Sequence, residues 1–258
     1  MKKLIALVTA LVMICAIGTV AVSADDVSVF VTIANGDVVV AEEITVTDVD
    51  SDGKLTVNDV LTIIHAEKKE GGFEAKSGEF GLFITKLWGV ETSSVGYTVN
   101  NALAMSLTDE VKNGDYVAAY IFTDSACSDK YSYFDSVQLS KKSGEEFTLT
   151  LSGLGYDENW QTVVAPISGA DIYVDGVKTS YTTDENGKVT ISLSEGGRHT
   201  VSAKSENTLL VPPVCEVTVT DVAPKTGDST VIALAVSTLA LAAVSVSVGN
   251  RRRDNSEE

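Results

Sequence analysis

Hydrophobic and polar residues alternate along most of the 258-residue chain, which is the pattern of half-buried β-strands. Residues 27–33 and 38–47 alternate on either side of Asn35-Gly36, a dipeptide that favours a tight hairpin turn. Apolar residues recur every three or four positions clearly only over residues 57–69, which predicts a helix. We therefore expect a mainly β fold that contains one helix.

The pattern divides the chain into two predicted domains. Residues 25–155 combine strands with the helix, so we expect a β-grasp-like α+β domain there. Residues 160–221 show alternating strands with turn signals every eight to twelve residues, which is typical of a small β-sandwich. A chain of this length is long enough to bury one or two hydrophobic cores.

Both ends of the chain carry long apolar runs. Lys2-Lys3, an apolar stretch and the small residues Val22-Ser23-Ala24 predict a secretory signal peptide over residues 1–24. Residues 231–249 form a second apolar run of about 19 residues, which is long enough to span a bilayer as a helix. The arginines at 251–253 follow it and would stop transfer with the basic end in the cytoplasm.

A short motif precedes the second apolar run: Ala223, Pro224, Lys225, Thr226, Gly227. Motif, span and basic tail over residues 223–253 together resemble the LPxTG-type sorting signal of Gram-positive surface proteins. The resemblance implies that a sortase cuts between Thr226 and Gly227 and joins the threonine to peptidoglycan. Ala223 stands where leucine is usual, so the sortase class stays open. A single-span membrane anchor that is never cut is the alternative.

The chain is acidic, with a formal net charge of −17. Nucleic-acid affinity comes from clustered lysine and arginine, so this composition disfavours a nucleic-acid partner. An acidic chain outside the cell stays soluble and attracts divalent cations.

Residues 48–59 match the twelve-residue ligand template of an EF-hand calcium loop. Gly53 occupies the sharp turn at the sixth position. Lys54, at the seventh loop position, would bind through its backbone carbonyl. The predicted ligands are Asp48, Asp50, Asp52, Lys54, Thr56, Asp59. Carboxylates brought this close repel one another, so we expect a loop without calcium to be strained or mobile. A solvated acidic turn, or a loop that no longer binds, is the alternative.

Aspartate at the twelfth position, after an entering strand, makes the loop similar to one half of a dockerin. That resemblance implies calcium-dependent protein assembly as an alternative function. Dockerins carry two such repeats, whereas residues 184–187 lack the acid spacing and predict a hairpin turn.

Three further segments suggest relatives for the first domain: residues 56–61, 97–101 and 113–115. They resemble the small bacterial domain related to the C-terminal domain of transcobalamin, over about residues 27–124. The resemblance implies a β-grasp-like fold and, as a third function, capture of a small molecule such as a corrinoid. Residues 166–176, 183–191 and 199–204 resemble transthyretin-like and collagen-adhesin B-type stalk modules.

Catalytic motifs are absent from the sequence, and its two histidines, His65 and His199, lie outside any metalloprotease pair. We therefore expect no enzyme. Tyr131, Tyr133 and Phe134 form a local aromatic cluster that is either a sugar-stacking platform or, as we favour, part of the core. Cys127 and Cys215 either pair outside the cell or remain two free thiols.

These observations predict a secreted calcium-binding protein, anchored to the cell wall or the cell surface, that acts in binding or display. Its partners would be sortase, peptidoglycan and a surface ligand, protein or glycan, that the sequence does not identify. Before sorting, the C-terminal segment would hold the chain in the membrane.

Overall fold

The structure is a computed structural model, and it describes residues 26–68, 72–79, 81–159 and 161–220. The predicted signal peptide, residues 1–24, and the predicted sorting signal, residues 223–253, lie outside the described residues. Within the described ranges, no helix is long and apolar enough to cross a membrane.

The described residues form one helix, α1, at Val57–Lys68. Their strands are β1 Val27–Asn35, β2 Asp37–Val46, β3 Glu74–Gly78, β4 Gly81–Leu87, β5 Val90–Glu91, β6 Val95–Val99, β7 Ala102–Leu103, β8 Tyr116–Ile121, β9 Lys130–Phe134, β10 Gln138–Lys142, β11 Glu146–Tyr156, β12 Thr162–Pro166, β13 Asp171–Val174, β14 Val177–Thr182, β15 Lys188–Ser192, β16 Gly197–Lys204, β17 Leu210–Val211 and β18 Cys215–Thr220.

The first half confirms the predicted β-grasp-like arrangement. Its five-stranded sheet has the order β2-β1-β8-β6-β7, with β1 antiparallel to β2 and parallel to β8. The apolar stripe of α1 packs on one face of this sheet, and Val60, Leu61 and Ile64 are fully buried there. A small sheet, β3-β4-β5, adds Ile84 and Leu87 to the same core.

The second half confirms the predicted β-sandwich. One sheet has the order β10-β18-β16-β13-β14, and the other has β12-β11-β9-β17, with β15 also paired to β11. Alternate residues of both sheets point inward and form a second core, which includes Leu149, Ile172, Ile191 and Val217.

Residues 130–155 belong to the predicted first domain, but they pair with strands of the second half. β9 pairs with β11 and β17, and β10 runs parallel to β18. Alternation within a strand shows which of its faces is buried but does not identify the strand beside it. The sandwich therefore begins near residue 130.

The turn at residues 184–187 joins two sheets and does not close a hairpin. It leads from β14 in one sheet to β15 in the other. Gly187 has φ +72°, and a Cβ at this position would collide with the Leu151 carbonyl oxygen. Because Leu151 N also donates to Gly187 O at 2.7 Å, glycine allows this close approach of two backbones.

Tyrosines join the two halves. Tyr116 and Tyr120 of β8 share a third buried cluster with Tyr131 of β9 and with Val211 and Val214. The Tyr120 and Tyr131 rings stack at 5.5 Å between centroids. The Tyr131 hydroxyl also accepts from Thr98 Oγ1 at 3.0 Å and donates to Asn101 Oδ1 at 2.9 Å. This third buried cluster therefore lies between strands of the first half and strands of the sandwich.

Gly96 tests this junction, because it lies beneath the Tyr120 ring and an added Cβ would overlap that ring. We expect Gly96→Ala to lower the free energy of unfolding by about 1–3 kcal/mol, the usual cost of overpacking. Gly155→Ala is the matched control, since its added Cβ would meet Val163 at an ordinary 3.7 Å. The control should change stability by less than about 0.5 kcal/mol in urea unfolding. Equal effects of the two substitutions would contradict the packing described here.

Candidate metal site

Three carboxylates converge in the loop between β2 and α1. Oxygen atoms of Asp48, Asp50 and Asp52 all lie within 4.8 Å of one another. Asp50 and Asp52 are exposed and Asp48 is half-buried. The loop therefore places three acidic groups at one point that an ion can reach from solvent.

Backbone amides hold these carboxylates in place. Gly53 N donates to Asp48 Oδ2 at 2.8 Å, and Lys54 N donates to Asp52 Oδ1 at 2.8 Å. Gly53 adopts φ +86°, a left-handed conformation that glycine tolerates without strain, which accounts for glycine at the sixth loop position. Ser51 also has a positive φ, of 61°. These backbone conformations fold the loop back on itself, so that the three aspartates converge on one point.

Asp59 anchors the loop to the helix. Its carboxylate is fully buried and accepts from Thr56 N at 2.8 Å, Thr56 Oγ1 at 2.7 Å and Val49 N at 3.2 Å. Thr56 is the N-cap of α1, and Asp59 is the third residue of the helix, so the two form a capping box. One carboxylate therefore fixes the start of the helix and an amide inside the loop.

The acidic cluster shifts the protonation of Asp50. Loss of solvation raises the pKa of Asp50, and repulsion from Asp52, Asp59 and Asp48 raises it further. Asp59 thus acts on the loop electrostatically even though it lies outside the cluster of three carboxylates. A bound cation would reverse these repulsive interactions.

The structure places the six predicted ligands in three different settings. Asp48, Asp50 and Asp52 come together as predicted. Thr56 is buried, and its hydroxyl donates to Asp59 rather than pointing to the cluster. Lys54 directs its ammonium to Glu110 Oε1 at 2.8 Å, which leaves only its carbonyl for the predicted role.

The sequence also carries the signal for this capping box, because Thr56-x-x-Asp59 is a known pattern for a helix start. The calcium template uses the same two positions. Both assignments are compatible in part, because a carboxylate has two oxygens with several lone pairs.

His65 lies on α1 on the buried side. Its Nδ1 lies 2.6 Å from the Leu61 carbonyl oxygen, and its Nε2 accepts from Trp88 N at 3.2 Å. The ring also stacks on Phe73 with 5.3 Å between centroids. Since Nε2 must accept while Nδ1 donates, this arrangement requires the neutral imidazole. His65 is therefore a hydrogen-bonded residue of the core.

The other predicted candidates belong to the interior or stand apart. Tyr131 and Phe134 are buried and Tyr133 is half-buried, so the aromatic cluster is mostly core. Cys127 is exposed and Cys215 is buried in β18, and both are free thiols. The sortase motif, Ala223 to Gly227, lies outside the described residues.

Comparison with known proteins identifies no family for the chain. No protein family model matches it, and no curated protein matches it. Among solved structures, the N-terminal four Ig domains of Dscam1 isoform 4.4 align over 74% of this chain and 43% of that chain, at 10% identity and a TM-score of 0.24. The D0-D1 domain of intimin aligns over 76% of this chain and 95% of that chain, at 16% identity and a TM-score of 0.26.

The aligned part spans less than half of the Dscam1 chain. TM-scores of this size establish neither a shared fold nor a shared function. The fold assignment therefore depends on the strand order and pairing of this chain itself.

The neutral state of His65 predicts a loss of stability in mild acid. Burial lowers the pKa of His65 below its ordinary value of 6.5. Its unfolded form therefore takes up a proton first, and the stability that neutral His65 contributes is complete above pH 6.5. That contribution is lost as the pH falls from 6.5 through the lower folded pKa.

Urea unfolding at pH 7.5 and pH 5.0 would measure this effect in the wild type and in His65→Phe, whose side chain does not titrate. We expect the wild type to lose more stability than the variant between the two values. His199 titrates in both proteins, so its opposite contribution, from a pKa raised by its hydrogen bond to Asp175, cancels. An identical loss in both proteins would contradict the prediction.

Proposed function

We propose that this chain is a calcium-stabilised surface protein of a Gram-positive bacterium, held at the cell wall, where it binds or displays. The observation that supports the calcium site best is the convergence of Asp48, Asp50 and Asp52 on one point of the loop. The anchoring part of the proposal rests on the sequence pattern of residues 223–253.

The donor set fits calcium. Carboxylate and carbonyl oxygens are the ligands this hard cation takes, and a short flexible loop suits its variable coordination. Asp48, Asp50 and Asp52 would hold the ion, with the Lys54 carbonyl, Thr56 and Asp59 as the remaining proposed ligands. Bound calcium would supply positive charge that removes the repulsion between the loop carboxylates.

A structural role follows from where the loop attaches. Its first part continues β2 and its last part is the cap of α1, which carries the apolar face that covers the sheet. Metal bound in the loop would therefore stabilise the docking of the helix, because binding to the folded state alone adds directly to folding stability. No chemical step is needed for such a role, and we propose a non-enzymatic protein.

The dockerin-like alternative is less favoured by the structure of the second acidic turn. Asp184 Oδ1 accepts from Asn186 N and Lys188 N, both at 2.8 Å, which closes a compact turn around one aspartate. The corrinoid alternative depends on the family resemblance alone.

The calcium site is tested by calcium binding and melting temperature in the predicted mature chain, residues 25–226, and in two of its variants. Extracellular loops of this class bind calcium with dissociation constants from about micromolar to about millimolar, and saturation at 100 times that constant would add about 2.7 kcal/mol. We expect calorimetric binding of one ion by the wild type and by Glu67→Gln, which changes an exposed charge on α1.

Adding calcium should change which of two proteins, the wild type or Asp50→Asn, has the higher melting temperature. Without calcium it should melt no lower than the wild type, because it removes a repelling charge. With calcium it should melt lower, because it has lost a ligand. A wild type that shows neither heat of binding nor a shift in melting temperature on adding calcium would refute the site.

Wall attachment is tested by Thr226→Ala in a sortase-bearing Gram-positive host. We expect the wild-type protein in the fraction released by muramidase, and the variant in the membrane fraction, since the resemblance implies that a sortase recognises the threonine side chain at the residue whose carbonyl it transfers to peptidoglycan. Lys225→Gln is the matched control, because the third motif position varies freely in the sorting signals that this segment resembles. If wild type and Thr226→Ala fractionate alike, the plain membrane anchor replaces the sorting signal.

A further inference from the structure

A cleft of about 510 Å³ opens between the strand–helix half and the sandwich. One wall is the edge strand β2 at residues 38–41, and the other is a face of the sheet that contains β13 and β16. The volume lies within the range of about 300–1,000 Å³ that is usual for ligand sites, which often lie between two parts of a chain. No residue of the acidic loop, 48–59, lines this cleft.

Three hydroxyl groups line the cleft from the sandwich side. Alternate residues of β16 are buried in the sandwich core, so Thr200 and Ser202 point to the opposite face and into the cleft. Tyr173 of β13 lies opposite Ser202 in the register and lines the cleft too. Among the residues that the structure describes, these three hydroxyls have no hydrogen-bond partner. Each of them can therefore donate to a ligand and accept from it.

Lys204 and Asp37 neutralise each other across the cleft. Lys204 Nζ, on the sandwich wall, lies 2.5 Å from Asp37 Oδ1 at the start of β2. The same ammonium group lies 5.2 Å from the centre of the Tyr173 ring. This ion pair joins the two walls and leaves neither partner as a free charge.

Asp175, the remaining charged residue of the lining, is neutralised by His199. Asp175 Oδ2 lies 2.7 Å from His199 Nδ1, and His199 Nε2 lies 2.9 Å from the Glu195 carbonyl oxygen. Both ring nitrogens face acceptors, so both donate and the ring is an imidazolium. The hydrogen bond to Asp175 raises the pKa of His199, which favours the same state. Because Asp175 Oδ1 also accepts from Thr200 N at 2.8 Å, both carboxylate oxygens are engaged.

We propose that this cleft binds a neutral oligosaccharide, held by the hydroxyls of Tyr173, Thr200 and Ser202. Sugar hydroxyls both donate and accept, as these side-chain hydroxyls do. The CH groups of a sugar ring would pack on the Tyr173 ring and on the apolar wall of β2. Such a site rests on the proposed binding role and gives that role a ligand class, while it needs neither bound calcium nor the wall anchor.

The lining disfavours charged and wholly apolar small molecules. An apolar ligand would bury the three hydroxyls without partners, which costs free energy for each of them. A charged ligand would find its opposite charge already engaged, since Asp37, Lys204 and Asp175 are all paired inside the protein. A neutral polyhydroxyl ligand meets neither penalty.

The shape of β2 disfavours a peptide strand in the same place. The register between β1 and β2 shifts between Ile33 and Ala34, which leaves Val39 as an extra residue in the cleft wall. A bulge of this kind interrupts the regular row of backbone groups that an added strand would need. Asp37 and Glu43 also place charges on this edge, which discourages strand addition.

Amide chemical-shift mapping by NMR on residues 25–226 tests the proposal. The probes are neutral trisaccharides of glucose, mannose, galactose and N-acetylglucosamine, at up to about 10 mM to cover weak association. We expect at least one of them to shift amides on both walls, around Ala41 on β2 and around Tyr173 and Ser202 on the sheet. Tri-alanine and trigalacturonic acid, an anionic trisaccharide, should bind about tenfold more weakly than that probe.

Variants test which side chains hold the saccharide. We expect Tyr173→Ala to weaken binding about tenfold and Ser202→Ala about fivefold, the latter being the usual effect of one hydrogen bond. Both should keep the wild-type melting temperature to within a few degrees, because both side chains point away from the core. Tyr156→Ala and Ser180→Ala, at exposed positions outside the cleft, are the matched controls and should bind like the wild type. Asp50→Asn should also bind like the wild type, so failure of the calcium site is distinguishable from failure of this one.

Absence of amide shifts with every neutral trisaccharide overturns the proposal. Tighter binding of tri-alanine or trigalacturonic acid than of any neutral probe would make the cleft a site for a different ligand class and overturns it as well. Saccharide binding that Tyr156→Ala abolishes, while Tyr173→Ala and Ser202→Ala leave it intact, would place the site elsewhere. If Tyr173→Ala does not fold, Ser202→Ala against Ser180→Ala decides.

Discussion

The buried carboxylate of Asp59 is the constraint on which the first half of the structure depends. It accepts from the amide and the hydroxyl of Thr56 at the helix start and from the Val49 amide in the acidic loop. A fully buried carboxylate is costly unless its oxygens are bonded, so these three donors and Asp59 require one another. The loop conformation and the position of α1 are therefore set together, and whatever changes the loop changes the packing of the helix.

The strand–helix half and the sandwich are joined by a different device. Tyr131 brings its hydroxyl from β9 to Thr98 and Asn101 of the first half, while its ring stacks on Tyr120. Tyrosine suits this position because the ring buries apolar area and the hydroxyl satisfies polar groups at the boundary. The acidic loop belongs to the strand–helix half, and the sandwich has a buried cluster of its own.

Local sequence patterns predicted much of the fold. Asn35-Gly36 and the flanking alternation identified β1 and β2, and the apolar spacing identified α1 to within one residue of its end at Lys68. What sequence reasoning missed was long-range: β10 pairs with β18, and nothing local in either strand specifies that partner. The same holds at the site. Acidic spacing predicted the convergence of Asp48, Asp50 and Asp52, whereas the burial of Thr56 follows from the packing of α1 on the sheet.

Hydrogen exchange mapped by peptide over Val57–Lys68 tests most directly whether calcium in the loop and the docking of α1 are coupled through Asp59. Wild-type chain and Asp59→Asn, which keeps the shape but loses the charge, would each be measured with and without calcium. The account predicts that calcium slows exchange across α1 and the facing strands of the wild type, that the variant exchanges faster, and that calcium fails to restore its protection. Exchange in α1 that is the same with and without calcium in the wild type, although the loop binds the ion, would contradict a structural role for the metal.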